Sequence, residues 1–420
     1  MKPSRLRRSQ WANPAFPIRL SALAAGLASA LNAGAQSIPG STNTLDPAAL
    51  TQLLQRIDQL EQKAKRVDAL EAEVKSLKAG AGSVAAEPEV STREVWPKID
   101  FQVQGDVDFH VSGNKSDKNT FFLGDFTPLI TAKLSDQAQV VADFAVESDQ
   151  LAGDGFNVDI ERLYAEYDVN DYFNVVGGRF NTDIGYYNSV YHNGTYFQTT
   201  VDRPGIFDFE DDGGILPDHM TGLSINGAIP SGSLNLHYTA EIGNGRNYDL
   251  NQPAFFISDN NDFKAYNLAL YAKPDWLSGL QFGGSAYYDT VTTPGVPRTD
   301  QLILSGYGVY KTGKFEWLTE GIYMCDTPAG GSAHWTSAGY TQVSRKFGQF
   351  RPYFRMEWRN TPAGDPLMAY IGQNVCVWGP TVGVRWDFTQ MMAIKLEYEH
   401  VEQNNINAVD QVTIQWTFRY

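Results

Sequence analysis

Charged side chains at alternate positions of short segments are the chemistry-bearing feature of this 420-residue chain. In Arg351-Pro352-Tyr353-Phe354-Arg355-Met356-Glu357-Trp358-Arg359 the odd positions carry Arg, Tyr, Arg, Glu and Arg, and the even positions Pro, Phe, Met and Trp. Arg385 and Asp387, then Lys395 and Glu397, repeat the spacing, and Arg419 follows near the end. A strand sends successive side chains to opposite faces, so one face is charged and the other apolar. Two readings of the charged face are compatible. The arginines form a basic track that orients water and polar solutes against an acidic wall. Alternatively they pair with Glu357, Asp387, Glu397 and Glu399 and stiffen the wall. A second charged feature, Asp208-Phe209-Glu210-Asp211-Asp212, sits in a long loop with Arg179 before it and Arg203 within it. It fits a constriction with a negative field, where carboxylates could also hold a hard cation.

Bond-making chemistry finds little support. The six histidines (110, 192, 219, 237, 334, 400) are scattered, and no nucleophile elbow, HExxH pair or phosphate loop occurs. Neither an enzyme nor a cofactor is therefore expected. The net charge of −15 and the absence of a basic stripe argue against nucleic acid. Cys325 and Cys376 lack metal-type spacing. An oxidising envelope would permit a disulfide, but non-adjacent strands and the outward parity of Cys376 oppose it.

The alternation that places the charges recurs along the last three hundred residues. Phe101, Val103, Val107 and Phe109 alternate with Gln102, Gln104, Asp106 and Asp108. Ile394, Leu396 and Tyr398 alternate with Lys395, Glu397 and Glu399, and Ile414, Trp416, Phe418 and Tyr420 with Gln415, Thr417 and Arg419. Segments near 172–179 and 339–345 do not choose a face. No mature segment offers twenty consecutive apolar residues, which excludes helical spans. Alternation closing on a terminal aromatic residue fits a membrane barrel, with the apolar face toward lipid and the polar face toward a water-filled lumen.

Punctuation supports this. Short turns at 135–137, 170–171, 230–232, 274–276, 312–314, 347–349 and 389–391 alternate with longer loops, the longest being 180–219. Strands counted between them number about sixteen. The expected fold class is all-β transmembrane: an antiparallel up-and-down barrel of about 16 strands over 99–420, its long loop 180–219 folded inward.

The N-terminal part differs. Residues 1–35 read as a secretory signal peptide, with basic residues, the apolar core Leu20–Leu31 and the small-residue site Ala33-Gly34-Ala35. Asp46-Pro47 opens a helix in which Leu50, Leu53, Ile57, Leu60, Ala64 and Val67 recur at three- and four-residue spacing. This predicts a self-associating coiled-coil helix over 45–79 on the periplasmic side, followed by a linker over 80–98.

Gly178-Arg179-Phe180, Gly185-Tyr186-Tyr187-Asn188, His192, Gln198-Thr199, Arg203-Pro204 and Leu216-Pro217-Asp218-His219 resemble a strand-and-loop segment of Gram-negative porins. The likeness is to the phosphate-selective porin O/P superfamily and to the trimeric, coiled-coil-bearing DcaP-like porins. It implies a homotrimeric outer-membrane channel for passive passage of small hydrophilic solutes or ions, with membrane lipid around it. The coiled coil would point toward peptidoglycan, and the alternative is a structural anchor tethering the envelope through it. From Ile99 onward 20 Lys and Arg face 39 Asp and Glu, a net of −19. That departs from the cationic ladder phosphate selectivity requires.

Overall fold

A computed structural model describes residues 97–114, 118–149, 155–192, 194–210, 213–246, 258–404 and 408–420. The expected signal peptide, coiled coil and nearly all of the linker lie outside the described residues.

Sixteen strands follow one another: β1 Lys98–Ser112, β2 Thr120–Lys133, β3 Ala138–Asp149, β4 Gly155–Asn170, β5 Phe173–Asn181, β6 His219–Ile229, β7 Leu236–Asn244 and β8 Lys264–Ala272. The second half comprises β9 Leu280–Val291, β10 Thr299–Lys311, β11 Phe315–Pro328, β12 His334–Arg345, β13 Phe350–Asn360, β14 Val377–Trp386, β15 Met392–Gln403 and β16 Val409–Arg419. Each pairs antiparallel with its neighbours in sequence, and β1 closes on β16 from Gln104↔Arg419 to Ser112↔Gln411. Val103 and Tyr420 exchange both backbone hydrogen bonds at 3.0 and 2.8 Å. Closure removes both sheet edges, so every strand has a partner on each side, as a lipid environment demands. The expected class, an antiparallel barrel of sixteen strands, is therefore the observed one. Among the described residues no helix is long and apolar enough to cross a membrane.

The outer surface is apolar in the way the alternation requires. Phe354, Trp358, Trp378, Val382, Ile414 and Trp416 are exposed, whereas their neighbours Arg355, Glu357, Thr381, Gln415 and Thr417 are buried. Outward aromatics gather at both ends: Trp276, Trp317, Phe347, Phe350 and Trp386 near the short turns, and Phe121, Tyr288, Trp335, Trp358 and Trp378 near the long loops. Two such belts mark where an apolar band meets two aqueous interfaces. Cys325 and Cys376 are free thiols.

The hydrophobic core lies inside the barrel. Ile184, Tyr187, Ile206, Phe207, Ile215 and Leu216 from the loop between β5 and β6 pack with inward-facing Ile303, Leu318, Ile322, Met324 and Tyr340. Two short helices contribute: α1 Gly185–Tyr191 within that loop, and α2 Pro366–Tyr370 between β13 and β14. Asp365 caps α2, accepting from the amides of Leu367 and Met368 at 3.0 and 3.2 Å, with Pro366 at the first helical position. Leu367 and Met368 then join the inner core.

Candidate functional site

The segment 182–218 enters the lumen and is wired to the wall on all sides. Its contacts reach inward-facing residues on β1, β4, β7, β10, β11, β13, β14 and β15. The segment has little regular structure, so its backbone donors and acceptors need partners other than its own helices or strands. The wall provides them. Cations take the carbonyls: Arg355 donates to Asp202 O at 2.7 Å and Thr200 Oγ1 at 3.2 Å, Arg385 to Tyr196 O and Gln198 O, and Lys395 to Thr195 O and Thr200 O, both 2.7 Å. Carboxylates take the amides: Glu320 accepts from Tyr186 and Tyr187, Glu397 from Val201 at 2.9 Å and Glu357 from Gly205 at 2.7 Å. These are charge-assisted bonds in a dry setting, about twice as strong as neutral ones.

The wall charges also neutralise one another. Arg385 Nε meets Asp387 Oδ1 at 2.7 Å, Lys346 Nζ meets the other Asp387 oxygen at 3.0 Å, and Arg355 lies 3.8 Å from Glu357. Arg351 donates to Ser344 at 3.2 Å, and Arg359 lies further along β13, opposite Val377. Both arginines ahead of or within the loop serve backbone carbonyls. Arg179 on β5 donates to Ile160 O and Glu161 O, and Arg203 to Phe207 O and His192 O while stacking 3.3 Å over the Phe209 ring. Of the acidic run, Glu210 is buried against His219, Asp208 is half-buried, and Asp211 and Asp212 lie outside the described residues.

Helix α1 is held by its first turn. Glu320 accepts both leading amides, at 2.6 and 2.9 Å, and the Tyr340 hydroxyl at 2.5 Å. Gly185 sits at φ +76°, and a Cβ there would come within 2.5 Å of Glu320 Oε2, so only glycine fits. Glu316 accepts from Tyr191 and Thr199, and Lys311 donates to the Tyr191 hydroxyl. Burial, with Glu316 and Glu320 adding their charge, pushes the Tyr186 phenol up to about 12. Tyr186 also borders a cavity of about 460 Å³ lined by Lys273, Gln281, Val309 and Lys311 at the short-turn end.

Glu316, Glu320 and Tyr340 do not stand out in the sequence, although β11 carries the signal of acids at inward parity. Glu161, His192 and His219 are likewise undetectable by spacing, since they come from β4, the residue after α1 and the first residue of β6. They bring three donor atoms within 4.8 Å of one another.

The barrel and its lumenal loop define the class. No family model matches the sequence, and no curated protein does. Solved structures do. The anion-selective porin of Comamonas acidovorans superposes with a TM-score of 0.55 at 10% identity, over 77% of this chain and 100% of that one. Salmonella typhi OmpF, solved with daunomycin, gives 0.54 at 10% identity over 77% and 98%. The outer-membrane channel DcaP of Acinetobacter baumannii gives 0.51 at 8% identity over 78% and 98%. The chain thus has the fold of outer-membrane porins, with a sequence far from each of them.

Proposed function

We propose that this protein is an outer-membrane porin of a Gram-negative bacterium, a passive channel for small hydrophilic solutes or ions. One observation carries the reading: a closed barrel, apolar outside, whose longest connection lies within the lumen on charged wall residues. A loop in that position sets the channel's cross-section, and the charges beside it set the local field. Arg355, Arg385 and Lys395, with Glu357 and Glu397, then act chiefly by holding the loop, and Arg203 by shaping it, while Arg351, Arg359 and Asp387 belong to the charged wall beside it. Because these charges are matched in sign at short range, selectivity follows the net acidity of the barrel, a weak preference for cations. Homotrimeric assembly, a periplasmic N-terminus and a coiled coil directed at peptidoglycan belong to the same proposal and rest on the sequence resemblance.

Single-channel recording in planar bilayers under a salt gradient tests the reading. The expected result is stepwise conductance, in triplets for a trimer, with a reversal potential of the cation-preferring sign. Anion preference would overturn the charge argument. Correctly folded barrels that pass no current would overturn the channel and favour a structural anchor.

A further inference from the structure

On the β4–β6 side the loop meets the wall through Glu161, His192 and His219, where hydrogen bonding alone leaves the groups mismatched. The Nε2 atoms of His219 and His192 lie 2.8 and 3.3 Å from the same Glu161 oxygen. Both imidazoles are almost wholly inaccessible, at 1 and 2% exposure, and the Glu161 side chain is 11% exposed.

The surrounding hydrogen bonds fix which nitrogens carry protons. Asn188 Nδ2 donates to Thr182 O and Asp218 O, each at 2.9 Å, so the Asn188 atom facing His192 Nδ1 at 2.6 Å is the carbonyl oxygen. His192 Nδ1 must therefore donate. His219 Nδ1 faces a carboxylate oxygen of Glu210 at 3.2 Å and likewise donates. In neutral imidazoles this leaves both Nε2 atoms with lone pairs, turned toward a carboxylate that also only accepts. At His219 the Nε2 atom makes no hydrogen bond although Glu161 is 2.8 Å away.

Three inward-pointing acceptors, with the far nitrogen of each imidazole tied to an oxygen, are the arrangement of a metal site with its outer shell in place. We propose that Glu161, His192 and His219 bind a divalent transition-metal ion, Zn²⁺ fitting best, which fastens the lumenal loop to strands β4 and β6. Two imidazoles and a carboxylate suit a cation of borderline softness better than Ca²⁺ or Mg²⁺, which favour all-oxygen shells. Asn188 and Glu210 orient the rings from outside. Arg179 and Arg203 lie nearby, offset by the carboxylates of Glu161, Glu210 and Asp218. The site is independent of the channel reading, since a barrel that conducts nothing would still bind the ion.

The test uses the full chain in detergent, stripped with EDTA and desalted. ZnCl₂ titrated by calorimetry should show one ion per chain, retained through gel filtration and not displaced by excess Mg²⁺ or Ca²⁺. Glu161→Gln and His219→Asn should each weaken binding by at least about tenfold. His400→Asn, at a half-exposed histidine paired with Asp410, should leave it unchanged. X-ray absorption of Zn²⁺ on the unmodified chain reports two imidazoles and an oxygen donor without requiring any variant to fold. Substoichiometric binding, equal affinity in the cluster variants, or a shell lacking imidazole would overturn the proposal; His219 would then share a proton with Glu161 instead.

Discussion

Two of the lumenal loop's attachments to the wall are built on opposite principles. Toward β11 and β13–β15, wall charges meet loop backbone groups of complementary polarity, as in Arg355 on Asp202 O, Lys395 on Thr200 O and Glu397 on the Val201 amide. Toward β4 and β6, acceptors face acceptors across Glu161, His192 and His219. The first attachment draws its charge-matched partners from the polypeptide itself. The second is complete only with a cation. Buried polar networks stabilise when every member is satisfied and cost when they are not. One attachment is thus fixed by the polypeptide, and the other is one that a bound ion can fasten or release.

The largest effect is expected where the self-sufficient side is cut. Arg355→Ala removes a fully buried cation and leaves Glu357 and two loop acceptors without it; we expect a loss of ~3–5 kcal/mol in urea unfolding of the reconstituted barrel. Single-channel conductance should rise in the same variant as the loop lifts. Glu320→Ala should cost about 2–3 kcal/mol by stripping acceptors from two amides and the Tyr340 hydroxyl. Unchanged stability in both would mean that the loop is held mainly by its apolar core.

A sharper contrast comes from hydrogen exchange with and without EDTA. Chelation should speed exchange at the His219 amide, which bonds Glu210 at 3.0 Å, and leave the Val201 and Gly205 amides protected by Glu397 and Glu357. Equal change at all three would erase the distinction between the two sides. Gly185→Ala forces a side chain into the left-handed region against Glu320, at a cost of about 1–2 kcal/mol in the same unfolding assay.

The smallest effect is a pH dependence. The Tyr186 phenol is raised from 10.0 to about 12, so its contribution is fully present below pH 10 and is lost as pH rises through about 12. Tyrosinate absorbance of the native barrel should show late-titrating phenols that shift back toward 10 on denaturation, with one phenol fewer in Tyr186→Phe.

Strand number and facing were legible in the sequence wherever one face met lipid and the other water. Arg355 and Glu357 inside, with Phe354 and Trp358 outside, follow parity alone. Around 339–345 parity gave no answer, and the structure supplies the reason. Tyr340 faces inward yet is apolar in bulk, because the wall there packs against Tyr187 and Phe207 of the loop rather than against water. Leu318, Ile322 and Met324 on β11 face inward for the same cause. The Glu161–His192–His219 cluster was invisible for a different reason: its members lie about thirty residues apart in sequence and meet only when the loop returns from the lumen to start β6.

The seam between β1 and β16 carries a further consequence for biogenesis. Gln104 pairs with Arg419, so the first edge cannot be covered until the last strand has been delivered. Until the two meet, the sheet has two open edges and an apolar outer face, a template for aggregation in water. Contacts this distant in sequence also form slowly. The last strand to be made is thus the one on which closure of the whole sheet depends.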